Sequence, residues 1–258
     1  MPDFLRKLID DARKRVEAGY YTLRERVDHE PVSFKRAIKS AERNAIIGEI
    51  KPVSPARGPL RPEIDPVKAA VQMVNGGVVA LSILTEPDNF GGSLENLRRV
   101  RERVSLPLLM KDIIIHERQI EACREVGGDC VLLIEAAFSK YPIASLNRLI
   151  RYAHQLELEV LLEVHSEDEF ERALKSEADI VGVNNRDLTT FETNLNTTLR
   201  IMAKAELQGD KALISESGFE SAEDIRKVKP ARVDAFLIGS SLMLSEDLER
   251  KVREFVLA

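Results

Sequence analysis

Charged and amide side chains close several apolar runs of this 258-residue sequence. The clearest case is PLLMKDIII from Pro107, where Lys111 and Asp112 interrupt a run typical of a strand buried on both faces. Burying a charged side chain costs free energy unless the charge is paired with an opposite charge or has a function in a site. Similar runs end in Glu49 and Lys51, in Glu163, in Asn184 and Arg186, and in Glu216. Repeated ionisable groups at the ends of apolar strands indicate either an ion-pair network or a functional site, and in such a site a lysine among carboxylates could donate a proton and stabilise developing negative charge.

Two Gly-Ser turns near the end of the sequence indicate a second kind of site. They lie in ISESGF, which contains Ser217 and Gly218, and in LIGSSL, which contains Gly239 and Ser240. Free backbone N–H groups at such strand-to-helix turns can hold a phosphate. The pair therefore predicts a phosphorylated small-molecule substrate.

The elements that must position these groups are eight short apolar runs, each followed by a segment with helical spacing. The runs start roughly 20 to 33 residues apart, the length that one strand, one helix and two loops require. They begin at Ala45, Val78, Pro107, Cys130, Glu159, Asp179, Ala212 and Ala235. This order predicts an α/β fold, a (βα)8 TIM barrel whose chemistry lies at the carboxyl ends of its strands; a doubly wound open sheet is the alternative.

We expect one barrel domain over residues 1–258, with residues 1–44 forming a helical extension packed on it. Leu5, Leu8, Ile9, Ala12 and Val16 have the spacing of one helix face. Capping boxes are predicted at Ser166 with Glu169 and at Ser221 with Asp224. His165 is interpreted as a helix-entry residue, whereas Glu135 is open between lining the site and a structural role.

The composition argues against several classes of protein. A formal net charge of −5 is not the basic footprint of a nucleic-acid binder, and no apolar run is long enough to span a bilayer. Cys123 and Cys130 are too few for a disulfide framework and lack metal-type spacing. We expect a cytoplasmic enzyme with no metal, no cofactor, and no nucleic-acid or membrane partner; our working expectation is a monomer.

Together these motifs resemble those of the indole-3-glycerol phosphate synthase family, and the likeness runs from the N-terminal helices to the last strand. The matching segments are EIKPVSP from Glu49, ALSILTE from Ala80, PLLMKD from Pro107, LLEVH from Leu161, GVNNRDL from Gly182, SESG from Ser215 and LIGSSLM from Leu237. The resemblance implies closure of the indole ring of 1-(o-carboxyphenylamino)-1-deoxyribulose 5-phosphate, a step of tryptophan biosynthesis that releases CO2 and water.

The resemblance also implies a role for each candidate residue. Lys111 would be the general acid and Glu163 the general base, while Glu49, Lys51 and Asn184 would orient the substrate and handle protons during dehydration. Arg186 and Glu216 would complete the polar wall. The phosphate would lie on Ser217, Gly218, Gly239 and Ser240, with Lys51 and Ser54 also reaching anionic groups.

The aromatic part of the substrate would need an apolar pocket, for which Phe90, Leu132 and Phe191 match family positions, with Leu188 beside them. The sequence departs from the family pattern at Ile113, where phenylalanine is common. Two alternatives remain at this point. A phosphoribosylanthranilate isomerase would need a cysteine near the end of the first strand, and a non-catalytic phosphosugar-binding barrel would leave Lys111 and the carboxylates unexplained.

Overall fold

A computed structural model describes residues 3–23, 25–205 and 209–258. The strands are β1 (Ala45–Ile50), β2 (Val53–Ser54), β3 (Gly58–Pro59), β4 (Ala80–Leu84), β5 (Leu108–Lys111), β6 (Cys130–Ile134), β7 (Glu159–Val164), β8 (Ile180–Asn184), β9 (Ala212–Glu216) and β10 (Ala235–Ile238). All but β2 and β3 pair in parallel and close into a barrel in the order β1-β10-β9-β8-β7-β6-β5-β4. The predicted TIM barrel is confirmed, and the open sheet is wrong because β1 pairs with both β10 and β4.

Helices alternate with the barrel strands. They are α1 (Phe4–Glu17), α2 (Phe34–Lys39), α3 (Pro66–Gly76), α4 (Pro87–Phe90), α5 (Leu94–Arg101), α6 (Glu117–Glu125), α7 (Glu135–Lys140), α8 (Leu146–Gln155), α9 (Glu167–Lys175), α10 (Asn196–Lys204), α11 (Ala222–Val228), α12 (Ser240–Met243) and α13 (Leu248–Val256), with a 3-10 turn at Lys229–Ala231. The Ser221–Asp224 capping box is present. The Ser166 box is only half formed, because the Glu169 carboxylate accepts from the backbone N–H of His165 instead.

The alternation of side chains along each strand separates two cores. Odd-numbered residues of β5 and β7, such as Leu109 and Leu161, belong to the cluster inside the barrel. Their even-numbered neighbours, such as Met110 and Leu162, pack against the surrounding helices. Because successive side chains point to opposite faces, Lys111 and Glu163 follow Leu109 and Leu161 onto the inner face.

The N-terminal helices contact opposite ends of the barrel. Phe34 and Ile38 of α2 belong to the inner cluster together with Ala45, at the start of β1. Helix α1 instead lies at the mouth, where Phe4 and Leu8 reach the large cavity. The predicted apolar face of α1 is buried, but it continues into Arg15, which is also buried. The first helix therefore contributes directly to the site end of the barrel.

Candidate active site

The mouth of the barrel holds a cavity of about 780 Å³. The structure brings every site residue predicted from the sequence to its wall: Glu49, Lys51, Ser54, Phe90, Lys111, Leu132, Glu163, Asn184, Arg186, Phe191, Glu216, Ser217, Gly218, Gly239 and Ser240. Leu188 and Ile113 also line it. Residues far apart in sequence meet because the carboxyl ends of parallel strands share one end of a barrel.

Lys111 is the centre of the charged cluster. Its Nζ atom lies 2.8 Å from Glu163 Oε2 and 2.7 Å from Glu216 Oε2. Burial disfavours the ammonium form, but Glu163, Glu216 and Glu49 outweigh that effect and raise the pKa of Lys111. The neighbouring carboxylates therefore outweigh burial, and the side chain is held as a charged donor.

The three carboxylates of the cluster differ in their surroundings. Glu49 is buried, but Lys51, whose Nζ lies 2.6 Å from Glu49 Oε1, and Lys111 keep the pKa of Glu49 below its usual value. Burial likewise opposes ionisation of Glu163, yet Lys111 and His165 lower its pKa to about 2. At Glu216 burial wins, helped by Glu163 and Glu49 against Lys111, and raises the pKa to about 7.

The two Gly-Ser turns both line the cavity. Ser217 has φ +66° and Gly218 has φ +95°, so the chain after β9 turns through the left-handed region twice. Ser217 has a Cβ atom and needs support there. The Asn185 side-chain amide supplies it by donating to the Ser217 carbonyl oxygen at 3.0 Å.

Apolar side chains form another part of the cavity wall. Phe90, Ile113, Leu132, Leu188 and Phe191 form it with Phe4 and Leu8 of α1. The rings of Phe4 and Phe191 meet edge to face with centroids 5.0 Å apart. Neither Phe4 nor Leu8 was predicted as a site residue, since the spacing of Leu8 indicated only a buried helix face and Phe4 lay outside that pattern.

Loops complete the rim. The segment after β1 folds as a small hairpin of β2 and β3 that carries Ser54, and Arg57 at its tip pairs with Glu220. Arg186 donates through Nη1 to the Phe191 carbonyl oxygen at 2.8 Å, and its backbone N–H donates to Asn184 Oδ1 at 3.0 Å. Arg57 and Glu220 also line the cavity and were not predicted.

Two glycines make room for the carboxylates. A Cβ atom on Gly182 would lie 2.1 Å from Glu216 Oε1, and one on Gly239 would lie 2.5 Å from Glu49 Oε1. Gly239 was predicted for a different reason, and Gly182 was not predicted. The role of Gly182 depends on the register between β8 and β9, which no local sequence motif indicates.

Four further residues considered from the sequence, which are Glu135, His165, Cys123 and Cys130, are not among the described residues that line the cavity. Glu135 accepts two hydrogen bonds from Arg172 of α9, at 2.6 and 3.0 Å, which favours the structural interpretation. His165 precedes α9, as expected for a helix-entry residue, but its ring approaches Glu163. Cys123 and Cys130 are buried free thiols on α6 and at the start of β6.

Within the described ranges, His, Cys, Asp and Glu side chains form no group of three that could ligate a metal ion. None of the helices in the part of the chain that the structure describes is long and apolar enough to cross a membrane.

The closed barrel and the lysine–carboxylate cluster at its mouth define a TIM-barrel enzyme. A family model described as indole-3-glycerol phosphate synthase matches residues 5–255. The chain belongs to the indole-3-glycerol phosphate synthase family.

Relatives of the same name align with most of the chain. The one from Aquifex aeolicus is 40% identical over 255 residues, 99% of this chain and 92% of the relative. The one from Methanocaldococcus jannaschii is 43% identical over 228 residues, 87% of this chain and 83% of the relative. Among solved structures, thiamine phosphate pyrophosphorylase from Pyrococcus furiosus aligns with a TM-score of 0.61 over 86% of this chain and 96% of that chain. At 15% identity, it shares the fold alone.

Proposed function

We propose that this enzyme closes the indole ring of 1-(o-carboxyphenylamino)-1-deoxyribulose 5-phosphate, releasing CO2 and water, and that the cluster around Lys111 performs the chemistry. The observation that carries the proposal is the position of the Lys111 ammonium group. It lies between Glu163 and Glu216 in a cavity that also contains the two Gly-Ser turns and an apolar wall. The substrate has the matching parts, which are a ketone, a phosphate and an aromatic ring.

The first chemical step joins the aromatic carbon that bears the carboxylate to the ketone carbon. The carbonyl π electrons move to oxygen, and Lys111 gives that oxygen a proton. A charged lysine stabilises the developing negative charge in the same step. The carboxylate then leaves as CO2, and its bonding electrons return to the ring and restore aromaticity.

Dehydration completes the reaction. The new hydroxyl group leaves as water after taking a proton, and Glu163 accepts the proton lost from carbon. Glu49 and Lys51, 2.6 Å apart, together with Asn184 orient the substrate and handle protons in this stage. Glu216, with its pKa near 7 and its contact with Lys111, returns a proton to the lysine between turnovers.

The remaining residues of the site bind the substrate. Ser217, Gly218, Gly239 and Ser240 hold the phosphate, while Ser54, Lys51 and Arg186 contact anionic groups. Phe90, Leu132 and Phe191 enclose the aromatic ring, and Ile113 contributes aliphatic contact on this wall where the family often has a phenylalanine. Apolar walls with a few placed polar groups are typical of small-molecule sites.

The direct test is turnover of the purified chain, followed by indole fluorescence, in the parent and in Lys111→Ala. We expect the variant to lose about 10³-fold or more in kcat, because an acid and a charge stabiliser disappear together. Lys229→Ala, which removes an exposed lysine, is the matched control and should behave as the parent. Circular dichroism checks that both variants fold. Turnover by Lys111→Ala within about twofold of the parent would contradict the assignment of Lys111.

We also propose a domain organisation, an oligomeric state and a cellular compartment for the enzyme. A single catalytic domain over residues 1–258 that works as a monomer in the cytoplasm is part of this proposal. The two free buried cysteines fit a reducing compartment. Light scattering at assay concentration tests the monomer, and cell fractionation tests the location.

A further inference from the structure

His165 is a largely buried histidine that the chemistry above does not use. Its side chain is only 15% exposed. Among the described residues, neither ring nitrogen has a hydrogen-bond partner. Buried polar groups are nearly always satisfied, so an orphaned imidazole calls for an explanation.

The ring lies between two carboxylates. Nε2 is 3.4 Å from Glu163 Oε1, and Nδ1 is 3.7 Å from Glu169 Oε2. If the ring carries two N–H groups, both contacts are attractive, and shortening them by roughly 0.5 to 1 Å would make both charge-assisted hydrogen bonds. A doubly protonated ring is the only form that can donate to both sides.

Glu169 also holds the backbone at this position. Its carboxylate accepts from the His165 N–H at 2.8 Å. The bond departs from the predicted capping box, in which Glu169 would have bonded Ser166. The departure ties α9 to the end of β7 and places the His165 ring directly behind Glu163.

The two oxygens of Glu163 therefore face different groups. Oε2 contacts Lys111 inside the cavity, whereas Oε1 faces His165 on the other side. Among the described residues, Glu163 lines the cavity and His165 does not.

The charged groups around the ring favour its protonated form. Glu163 comes from β7, Glu169 from α9 and Glu216 from β9, while Asp187 follows β8. Burial opposes the charge, but the carboxylates outweigh it and raise the pKa of His165. The same positive charge contributes to the lowered pKa of Glu163.

We propose that His165 is a positioning residue of the reaction, which fixes the Glu163 carboxylate from behind and adds its positive charge to that of Lys111 on the other oxygen. The inference rests on the proposed function, since it assigns His165 a role only if Glu163 is the base. The competing interpretation is a core histidine with a purely structural role.

The test compares kcat and KM across pH for the parent, His165→Gln and His165→Leu. Glutamine keeps a neutral N–H donor but no charge, and leucine keeps neither. We expect kcat to fall about tenfold in His165→Gln and further in His165→Leu, short of the 10² to 10⁴ range for losing a base outright, with KM within about twofold. Loss of the cation raises the pKa of Glu163, so both variants should lose activity at a higher pH on the acid side than the parent.

His154→Gln is the matched control. His154 is an exposed histidine that also pairs with a carboxylate, since its Nε2 lies 2.9 Å from Asp179 Oδ2, yet it lies on α8 outside the cavity lining. Its kcat and pH profile should equal those of the parent. A structural role for His165 would lower stability in its variants without moving the pH profile of the folded fraction.

A measurement on the parent alone guards against variants that fail to fold. Nitrogen-15 NMR of the histidine rings reports the charge of His165 directly, and we expect a ring that is mainly protonated at pH 6.5. A neutral ring at that pH, or folded variants with the parent's kcat and pH profile, would overturn the inference. A parent that fails to turn over the substrate would instead overturn the proposed function, and this inference with it.

Discussion

Glu216 differs from its two carboxylate neighbours because it has no cation to itself. Lys51 pairs with Glu49, His165 lies 3.4 Å from Glu163, and Lys111 is divided between Glu163 and Glu216. One of the two carboxylates that share Lys111 must carry most of the burial penalty, and the raised pKa of Glu216 places it there. Its Oε1 atom also has no hydrogen-bond partner among the described residues.

This arrangement predicts that Glu216→Gln stabilises the fold above neutral pH. Because the folded-state pKa of Glu216 is raised from 4.5 to about 7, the native state binds more protons between these values. The free energy of unfolding of the parent therefore falls as pH rises through that window, and the full cost is present above it. Glutamine removes this cost, so the variant should be more stable by about 1–3 kcal/mol at pH 8, with the difference shrinking toward pH 4.5.

Urea denaturation at pH 5 and pH 8 measures the effect, with the exposed Glu246→Gln as control. A stability difference of equal size at both pH values would contradict the explanation. The same variant should lose kcat, since it can no longer return a proton to Lys111. Such a trade-off is expected where a buried carboxylate lowers the stability of the fold but is needed for activity, so that its removal raises stability and lowers kcat.

Helix α1 positions the site through a buried ion network. Arg15 Nη1 lies 2.7 Å from Glu86 Oε1 and 2.5 Å from Asp88 Oδ2, after β4. Asp112, next to Lys111, accepts from Tyr21 at 3.1 Å and from Thr85 at 2.6 Å. Arg15 Nη2 also lies 4.0 Å from Asp112 Oδ1, so the helix contacts the loops that follow both β4 and β5.

Arg15→Met should destabilise the protein by about 3–5 kcal/mol, because it leaves buried carboxylates without their cation. We also expect kcat/KM to fall, since the loops beside Lys111 and Phe90 lose their anchor. Arg13→Met is the matched control, because Arg13 lies on the same helix, is exposed and pairs with Asp10 at 3.4 Å. If the free energies of unfolding of the two variants agreed within about 0.5 kcal/mol, the network would have no special role.

The closed barrel brings all of these elements to one end, and ligand binding there should be measurable without catalysis. Inorganic phosphate that binds only the native state raises stability by about 1.4 kcal/mol at ten times its Kd, a rise in Tm of a few degrees for a chain of this size. We expect this rise over a chloride control of equal ionic strength, and we expect phosphate to compete with substrate. Ser240→Ala should weaken both effects, whereas the exposed Ser105→Ala should not. A Tm unaffected by phosphate would argue against the phosphate site.

Much of the site was predictable because strand geometry is periodic. Once Leu109 and Leu161 are assigned to the barrel interior, Lys111 and Glu163 must follow them two residues later. Phe4, Gly182 and His165 were not predictable in the same way. Phe4 needs the placement of α1, Gly182 needs the register of β8 against β9, and the His165 ring needs the bond between Glu169 and the end of β7.

The sequence by itself determined the barrel, the strand ends that carry the polar residues, and the family. These features follow from local periodicity and from motifs a few residues long, and such patterns can be recognised without knowledge of contacts between distant parts of the chain. Only the tertiary structure decided which carboxylates share Lys111, and hence that the pKa of Lys111 is raised and that of Glu216 lies near 7. Electrostatic energies depend on distances between groups that are 52 and 105 residues apart in the chain, and folding alone sets those distances.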